Sequence, residues 1–344
     1  MTRTVLLSKL AKRLGDYRSF PKDVSVEDHI DKWVSQFDAA VQVPILEELR
    51  HVFRRTYFNA NNMRHFLETV AQAPNLVGTD PKKFWAQTGV LNIQQRGDSQ
   101  RDMIAIFDDV LTELHGTPST AAGNAQAEYV FLDDACYTGM TLINDIGRWI
   151  DNSAPTACRL NIVVIGLHSN GKDFANRKLT ERSRSAKKAI DIKWWCSVEL
   201  EDRQNYTDVS DVLRPHALPS TPEVTAYVSA MTYKPRLRVG SAVGGKGVFS
   251  GDAGRKLLEQ QFLDKGAWIR TVCKNLNQYQ RPLGNSVLET LGFGSTIATF
   301  RNCPNNAPLV FWVGDPWYPL FPRTTNSATE FKRTIDALFK EVRK

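Results

Sequence analysis

The chain has 344 residues, 42% of them hydrophobic and 24% charged, which are the proportions of a soluble globular protein with room for one elaborated domain or two smaller ones. No run of about 18 apolar residues occurs, and the stretch from Met1 to Phe20 has too short a hydrophobic run for a secretory signal, so a cytoplasmic protein with no membrane partner is expected. The net charge of +7 leaves room for an anionic ligand, a nucleotide or a nucleic acid, while five scattered cysteines with no CxxC pair and no histidine at ligand spacing argue against disulfides and structural zinc.

From Val26 to Val70 the apolar residues recur at helical spacing: Val26, Ile30, Trp33, Val34 and Phe37, then Leu46, Leu49, Val52 and Phe53, then Met63, Phe66, Leu67 and Val70. Ser25, with Asp28 three residues on, offers a helix cap, and Pro44 stands where a first helical turn would start. A helical N-terminal extension is therefore expected over residues 1–85, with the Pro and Gly signals of residues 71–89 marking its connection to the next region.

Residues 86–200 change pattern. Short runs rich in β-branched and aromatic residues, "VLNI", "YVFL", "LNIVVIGL" and "IKWWCSVEL", alternate with helical segments carrying Met103, Ile104, Phe107, Val110, Leu111 and Leu114, then Leu142, Ile143, Ile146, Trp149 and Ile150, then a basic run. This alternation predicts right-handed crossovers and a mainly parallel sheet, in which ligands bind beyond the carboxyl ends of the strands. Over residues 201–344 the alternation weakens into a C-terminal elaboration or lid. Here "GDAGRKLLEQQFL" reads as a helix, and "GSTIATF" and "APLVFWVGDPWYPLF" read as late strands.

The carboxyl end of "YVFL" carries the densest chemistry: "EYVFLDDACYTGMTL", Glu128 to Leu142. Asp133 and Asp134 end a strand, and Thr138, Gly139 and Thr141 open a helix. A helix start presents free N–H groups and the positive end of a dipole, so it receives a phosphate readily. The two carboxylates cannot face that phosphate, but they can accept hydrogen bonds from adjacent sugar hydroxyls or hold a hydrated Mg²⁺. Acids for a ribose and amides for its 5′-phosphate make one coherent site. Cys136 lies within this stretch, and packing under the loop competes there with a nucleophilic role.

The string "VFLDDACYTGMTL" resembles the 5-phosphoribosyl-1-pyrophosphate motif of type I phosphoribosyltransferases in its strand, paired acids, Thr-Gly and second Thr. The Tyr137-Thr138-Gly139 version also looks like that of the pyrimidine-operon attenuation regulator, a member of the fold that binds RNA. The resemblance implies an α/β fold with a mainly parallel sheet of the type I phosphoribosyltransferase kind, an N-terminal helical extension and a C-terminal elaboration. By it, Asp133 and Asp134 contact the ribose hydroxyls and bear on catalysis, with Mg²⁺ held directly or through water. Ala135, Cys136, Tyr137, Thr138, Gly139, Met140 and Thr141 cradle the 5′-phosphate. Three further stretches, "DKWVSQF", "FSGDAGRKLLEQQFLDKG" and "LGFGSTIATFRNCPNNAPLVFW", resemble one branch of the superfamily, the phosphoribosyltransferase-like proteins of bacterial conflict systems that accompany antiphage defence genes.

In that superfamily a loop after the first core strand receives the pyrophosphate. "QQRGDSQ", Gln94 to Gln100, is the candidate here, with Arg96, Gly97, Asp98 and Ser99 as its phosphate-facing residues; an Asp-Ser helix cap is the competing reading. The basic run over residues 171–188 fits a solvated helical face or a contact to pyrophosphate or nucleic acid. His168, at a strand's carboxyl end, reads as a structural histidine or one that orients a ligand. "GSAVGGKG", Gly240 to Gly247, falls one residue short of a nucleoside-triphosphate loop, since Gly247 stands where Ser or Thr should be; a glycine-rich hairpin between "RLRV" and "VFS" fits it better. Trp312 and Trp317 fit a core or a base-stacking role.

Three functions follow as expectations. The chain is an enzyme displacing pyrophosphate from a ribose C1; or a sensor or regulatory module that keeps the ligand loop without transfer, in keeping with Met140 in a slot often small in the family and with no identifiable catalytic lid; or a nucleic-acid-binding partner in a defence complex.

Overall fold

The computed structural model describes residues 1–95, 99–121, 127–203, 209–239, 247–286 and 290–323. The chain divides into two compact units, Ala60–Tyr206 and a second built from Met1–Asn59 with Thr207–Lys344.

The Ala60–Tyr206 unit holds a five-stranded parallel sheet in the order Thr120–Ala121, Thr88–Leu91, Glu128–Cys136, Ala157–His168, Ala189–Leu200. The α/β class and parallel sheet expected from the sequence are what the chain adopts. Glu128–Cys136 is a central strand, with Phe131 in register with Leu91 on one side and with Ile162 on the other. Burial on both faces explains its unbroken apolar run. Tyr129 and Phe131 join a core with Leu142, Ile146 and Ile150 of helix Met140–Asn152 and with Ala175 and Leu179 of helix Ser169–Ser185. Helix Ser99–His115 packs against the same strand and carries Met103, Phe107, Val110 and Leu111, all fully buried. Ala189–Leu200 is an edge strand, and its side chains alternate between exposed and half-buried over much of its length.

Helix Ala60–Gln72 belongs to this unit, and the stretch read as a connection over residues 71–89 contains two short helices, Pro74–Val77 and Pro81–Ala86. Each begins on a proline, whose missing N–H costs nothing in a first turn.

The other unit packs helices Arg3–Leu14, Val26–Val34, Ala39–Thr56 and Asp252–Val272 around an aromatic core. Trp33 stands 5.2 Å from Phe37, 6.3 Å from Phe262 and 6.2 Å from Phe311, and its indole N–H donates to the Val310 carbonyl at 2.8 Å. Ser25 caps its helix as expected: its Oγ accepts from the Asp28 N–H at 3.0 Å and donates to the Asp28 carboxylate at 2.7 Å. Pro44 lies inside helix Ala39–Thr56 rather than opening it. Arg238, Arg255 and Glu259 are almost wholly buried together: the Glu259 carboxylate accepts from Arg255 Nε at 2.7 Å and from Arg238 Nη2 at 3.0 Å.

Two late elements differ from expectation. "APLVFW" forms a short helix, Leu309–Trp312, in which all four residues are buried, because a short apolar run does not by itself distinguish a buried helix from a buried strand. "GSTIATF" supplies only a two-residue strand, Ala298–Thr299, parallel to Tyr57–Phe58. The flanks "RLRV" and "VFS" are not strands. Of the glycine-rich stretch between them, residues 240–246 lie outside the described residues.

Candidate functional site

The carboxyl end of the Glu128–Cys136 strand places its two acids differently. Asp133 is buried, at 7% exposure, and Asp134 is half-buried. Asp133 Oδ1 accepts from the Ser99 hydroxyl at 2.8 Å and from the Asp134 backbone N–H at 2.9 Å. Burial, and then the Asp134 charge beside it, push the Asp133 carboxyl well above the ordinary carboxylate range; the hydrogen bonds from Ser99 and the Asp134 amide pull the other way without prevailing.

The loop that follows is tightly fixed. Gly139 adopts φ +74° at the helix cap, the left-handed region that a β-carbon disfavours, and a Cβ there would stand 2.8 Å from Ala175 Cβ and 3.0 Å from the Gly171 carbonyl oxygen. Gly171 is equally constrained, since a Cβ on it would overlap the Tyr137 carbonyl oxygen. Two glycines, one on each element, thus let the Tyr137–Gly139 backbone lie directly on helix Ser169–Ser185. No side chain at the cap position bonds the helix amides; the Met140 N–H finds Thr138 Oγ1 at 3.3 Å, and the next amides have no partner within the helix by its geometry. Thr138 is half-buried, and Met140 and Thr141 are exposed. Ala135 is half-buried. The Cys136 and Tyr137 side chains are buried, so their backbone is what the loop presents. Burial, and then the Asp133 charge, push the Cys136 thiol up to about 12, which suits the packing reading over a nucleophile.

Of the other loop, Arg96, Gly97 and Asp98 lie outside the described residues. Ser99 opens helix Ser99–His115 and, through its hydrogen bond to Asp133, joins the two loops singled out from the sequence. A residue that sequence reasoning passed over does as much. Gln100 is fully buried; its Oε1 accepts from the Ile93 and Gln94 N–H groups at 2.7 and 2.9 Å, and its Nε2 donates to the Leu132 carbonyl at 3.3 Å. Gln94 answers it, accepting from the Gln100 N–H at 3.0 Å and donating from Nε2 to Ser99 Oγ at 2.8 Å. The signal was available in "QQRGDSQ": glutamines at both ends of a loop, each with an amide able to close the turn on the other.

Among the described residues no group of three His, Cys, Asp or Glu side chains could enclose a metal. Asp133 and Asp134, with the Ser99 hydroxyl, are an oxygen donor set of the size that binds Mg²⁺ together with waters and ligand phosphates rather than in an all-protein cage.

The basic helix is largely engaged with neighbouring acids and backbone. Lys172 meets Glu199 at 3.2 Å, Lys178 meets Glu181 at 2.8 Å, Arg182 holds Asp151 at 3.0 Å, and Lys188 donates to the Ile150 carbonyl. This favours the solvated-face reading of that run. His168 is buried with its Nε2 3.7 Å from Asp202, a structural placement. Trp312 and Trp317 are also buried, each donating its indole N–H at 2.9 Å, to the carbonyls of Ala307 and Val310. No helix among the described residues is long and apolar enough to cross a membrane.

Searches against curated proteins and against solved structures return no match. A family model does match, over residues 30–323, a span that holds the parallel sheet, both loops at its carboxyl edge and the three stretches that resemble the conflict-system branch. The chain belongs to the PRTase-CE family, and is a phosphoribosyltransferase-like protein.

Proposed function

We propose that the protein binds 5-phosphoribosyl-1-pyrophosphate, or a nucleotide carrying the same ribose 5-phosphate, with Mg²⁺, at the carboxyl edge of the sheet. The observation that carries this reading is the pairing of two unlike surfaces on one strand end: a buried carboxylate with a half-buried one after it, and beside them a helix start whose glycine cap supplies no side-chain bond to the helix amides.

In the reaction this supports, a nitrogenous base displaces pyrophosphate from C1 of the ribose. Asp134 accepts hydrogen bonds from the ribose hydroxyls and stabilises developing positive charge on the sugar, with Asp133 behind it holding the loop through Ser99. Asp133 and Asp134, directly or through water, are the residues that would hold Mg²⁺, which when bound neutralises charge on the departing pyrophosphate. The amides of Tyr137 to Thr141 and the Thr138 and Thr141 hydroxyls fix the 5′-phosphate. The acceleration comes from position and preorganised charge, with no covalent intermediate on the protein.

Calorimetric titration with phosphoribosyl pyrophosphate and Mg²⁺ tests this. Binding by the native chain, weakened at least about tenfold by Asp134→Asn and by Thr138→Ala, is expected; no binding by the native chain removes the proposal. Pyrophosphate release on adding a panel of bases then separates a transferase from a module that binds and reports. The resemblance to the conflict-system branch supports a role in antiphage defence, which phage challenge of cells carrying the native and Asp134→Asn chains tests.

A further inference from the structure

We propose that the site extends past the 5′-phosphate into a second phosphate subsite, so that the ligand is a nucleoside 5′-diphosphate unit, free or bridged to a second nucleoside. This rests on the reading of the Tyr137–Thr141 loop as a ribose 5-phosphate site and names what that phosphate carries. An open, mainly polar cleft of about 700 Å³ lies along helix Met140–Asn152, lined by Gln95, Thr141, Asn144, Asp145, Arg148 and Arg182. Its lining includes Gln95 and Thr141, a residue from each of the two loops, and Arg148 and Arg182 are the cations among its described residues.

Both guanidiniums are held in the same way, by a carboxylate on one edge. Arg148 donates from Nη2 to Asp145 Oδ1 at 2.6 Å and from Nε to the Asn144 carbonyl at 3.3 Å, while Asp145 itself is 4% exposed. Arg182 donates from Nε to both Asp151 oxygens, at 3.1 and 3.0 Å, and again from Nη2. Its guanidinium crosses the neighbouring helix at Gly147, where a Cβ would overlap it. Arg148 thereby keeps its Nη1 for a ligand, whereas Arg182 lays its Nη1 on Gly147 and brings its charge to the cleft. A fork fixed on one side and open on the other is the arrangement that reads phosphate oxygens.

Spacing agrees. Thr141, Asn144 and Arg148 follow one another along one helical face, and helical side chains lean toward the N-terminus, as the Arg148 contacts to residues 144 and 145 show. The Arg148 head therefore sits about one turn, roughly 5 Å, beyond Thr141, within reach of a phosphate joined to one at the helix start. A lone 5′-phosphate would leave the Arg148 fork unused.

The test compares adenosine 5′-monophosphate, adenosine 5′-diphosphate, a dinucleoside 5′,5′-diphosphate and inorganic tripolyphosphate by calorimetry, on the native chain, Arg148→Ala, Arg182→Ala, Arg148→Lys and Asp134→Asn. The diphosphate should bind about tenfold or more tighter than the monophosphate, an advantage that both alanine variants abolish while monophosphate affinity stays unchanged. Arg148→Lys should restore only part of it, since a point charge replaces a fork. Equal affinity for mono- and diphosphate, or arginine variants that weaken both alike, overturns the proposal. A dinucleoside diphosphate matching the diphosphate assigns the bridged form, and one that fails to bind assigns the free form. Tripolyphosphate keeps the two readings apart: if it binds through Arg148 and Arg182 but monophosphate does not bind, the cleft stands and the ribose 5-phosphate reading falls.

Discussion

Replacing Asp133 by asparagine is expected to make the ligand-free protein more stable at alkaline pH and no more stable at acid pH. The side chain is 7% exposed and lies beside Asp134, so ionising it costs burial and repulsion together, and its carboxyl sits well above the ordinary value of 3.8. Well below 3.8 the folded and unfolded chains both hold the proton, and Asp133 contributes nothing to the pH dependence. Above it the unfolded chain has released a proton that the folded chain retains, so stability falls as pH rises, until the folded carboxyl also ionises and the loss levels off. One proton limits the slope to about 1.4 kcal/mol per pH unit. The Asp133→Asn side chain would keep an oxygen that accepts from the Ser99 hydroxyl and the Asp134 amide, and has no proton to lose. Urea unfolding of both chains from about pH 5 to about pH 8, with amide exchange along Glu128–Cys136 reporting on that unit, gives the difference directly. Native minus variant stability should fall steadily over this range. A level difference, or one that rises with pH, refutes the buried, charge-raised state of Asp133. Binding that needs the carboxylate ionised should release a proton, so affinity for phosphoribosyl pyrophosphate with Mg²⁺ should also rise with pH.

Gly139→Ala should cost about 1–2 kcal/mol from its left-handed backbone alone, more from its contact with Ala175, and weaken phosphoribosyl pyrophosphate in the same titration that tests Thr138. Gln100→Leu removes the acceptor for two loop amides and should destabilise by about 1–3 kcal/mol in urea while leaving Asp133 and Asp134 unchanged in kind; native stability in that variant refutes the glutamine clamp. His29 is wholly buried, with Nδ1 2.7 Å from the Tyr318 hydroxyl and Nε2 2.9 Å from the Leu320 carbonyl, and burial lowers its pKa. The unfolded chain therefore takes up a proton first as pH falls below 6.5, and the stability that His29 contributes above that value should drain away, by at most about 1.4 kcal/mol per unit, a dependence absent from His29→Asn. Glu259→Gln takes the carboxylate from buried Arg255 and one of two from buried Arg238, which keeps Asp252 at 3.3 Å, and should cost about 3–5 kcal/mol in urea.

What could be read from the sequence followed how local its cause is. The strands at Val130, Ile162 and Leu91 and the helix through Leu142 and Ile146 announced themselves because strand and helix each impose their own period on the residues that meet the core. The Tyr137–Thr141 loop was legible because its geometry admits few residues: Gly139 in the left-handed region, threonines on either side. Its support was not, since Gly171 matters only because Tyr137, 34 positions earlier, lies on it, and nothing within either segment states that contact. Gln100 was hidden for the opposite reason: its bonds to Ile93 and Gln94 are local, but a glutamine at a helix start reads as solvent-facing until its burial is known. Residues 309–312 misled because four consecutive buried apolar residues carry no period at all.

The family resemblance itself has two parts of different meaning. The "DKWVSQF" helix, the "FSGDAGRKLLEQQFLDKG" helix and "NAPLVFW" meet in the aromatic core of one unit, where Trp33, Phe37, Phe262 and Phe311 touch. Phe249 lies under the Arg255 guanidinium at 4.8 Å, and Arg255 holds Glu259. These side chains are shielded from solvent and satisfied by one another, so the likeness they carry concerns how that unit packs and says nothing of what it binds. The likeness from Val130 to Leu142 is of the other kind, because packing does not require a second acid beside a buried first. An assignment of chemistry therefore has to be made at Asp133, Asp134 and the Tyr137–Thr141 backbone, and variants in the aromatic core should change stability while leaving the ratio of diphosphate to monophosphate affinity where it was.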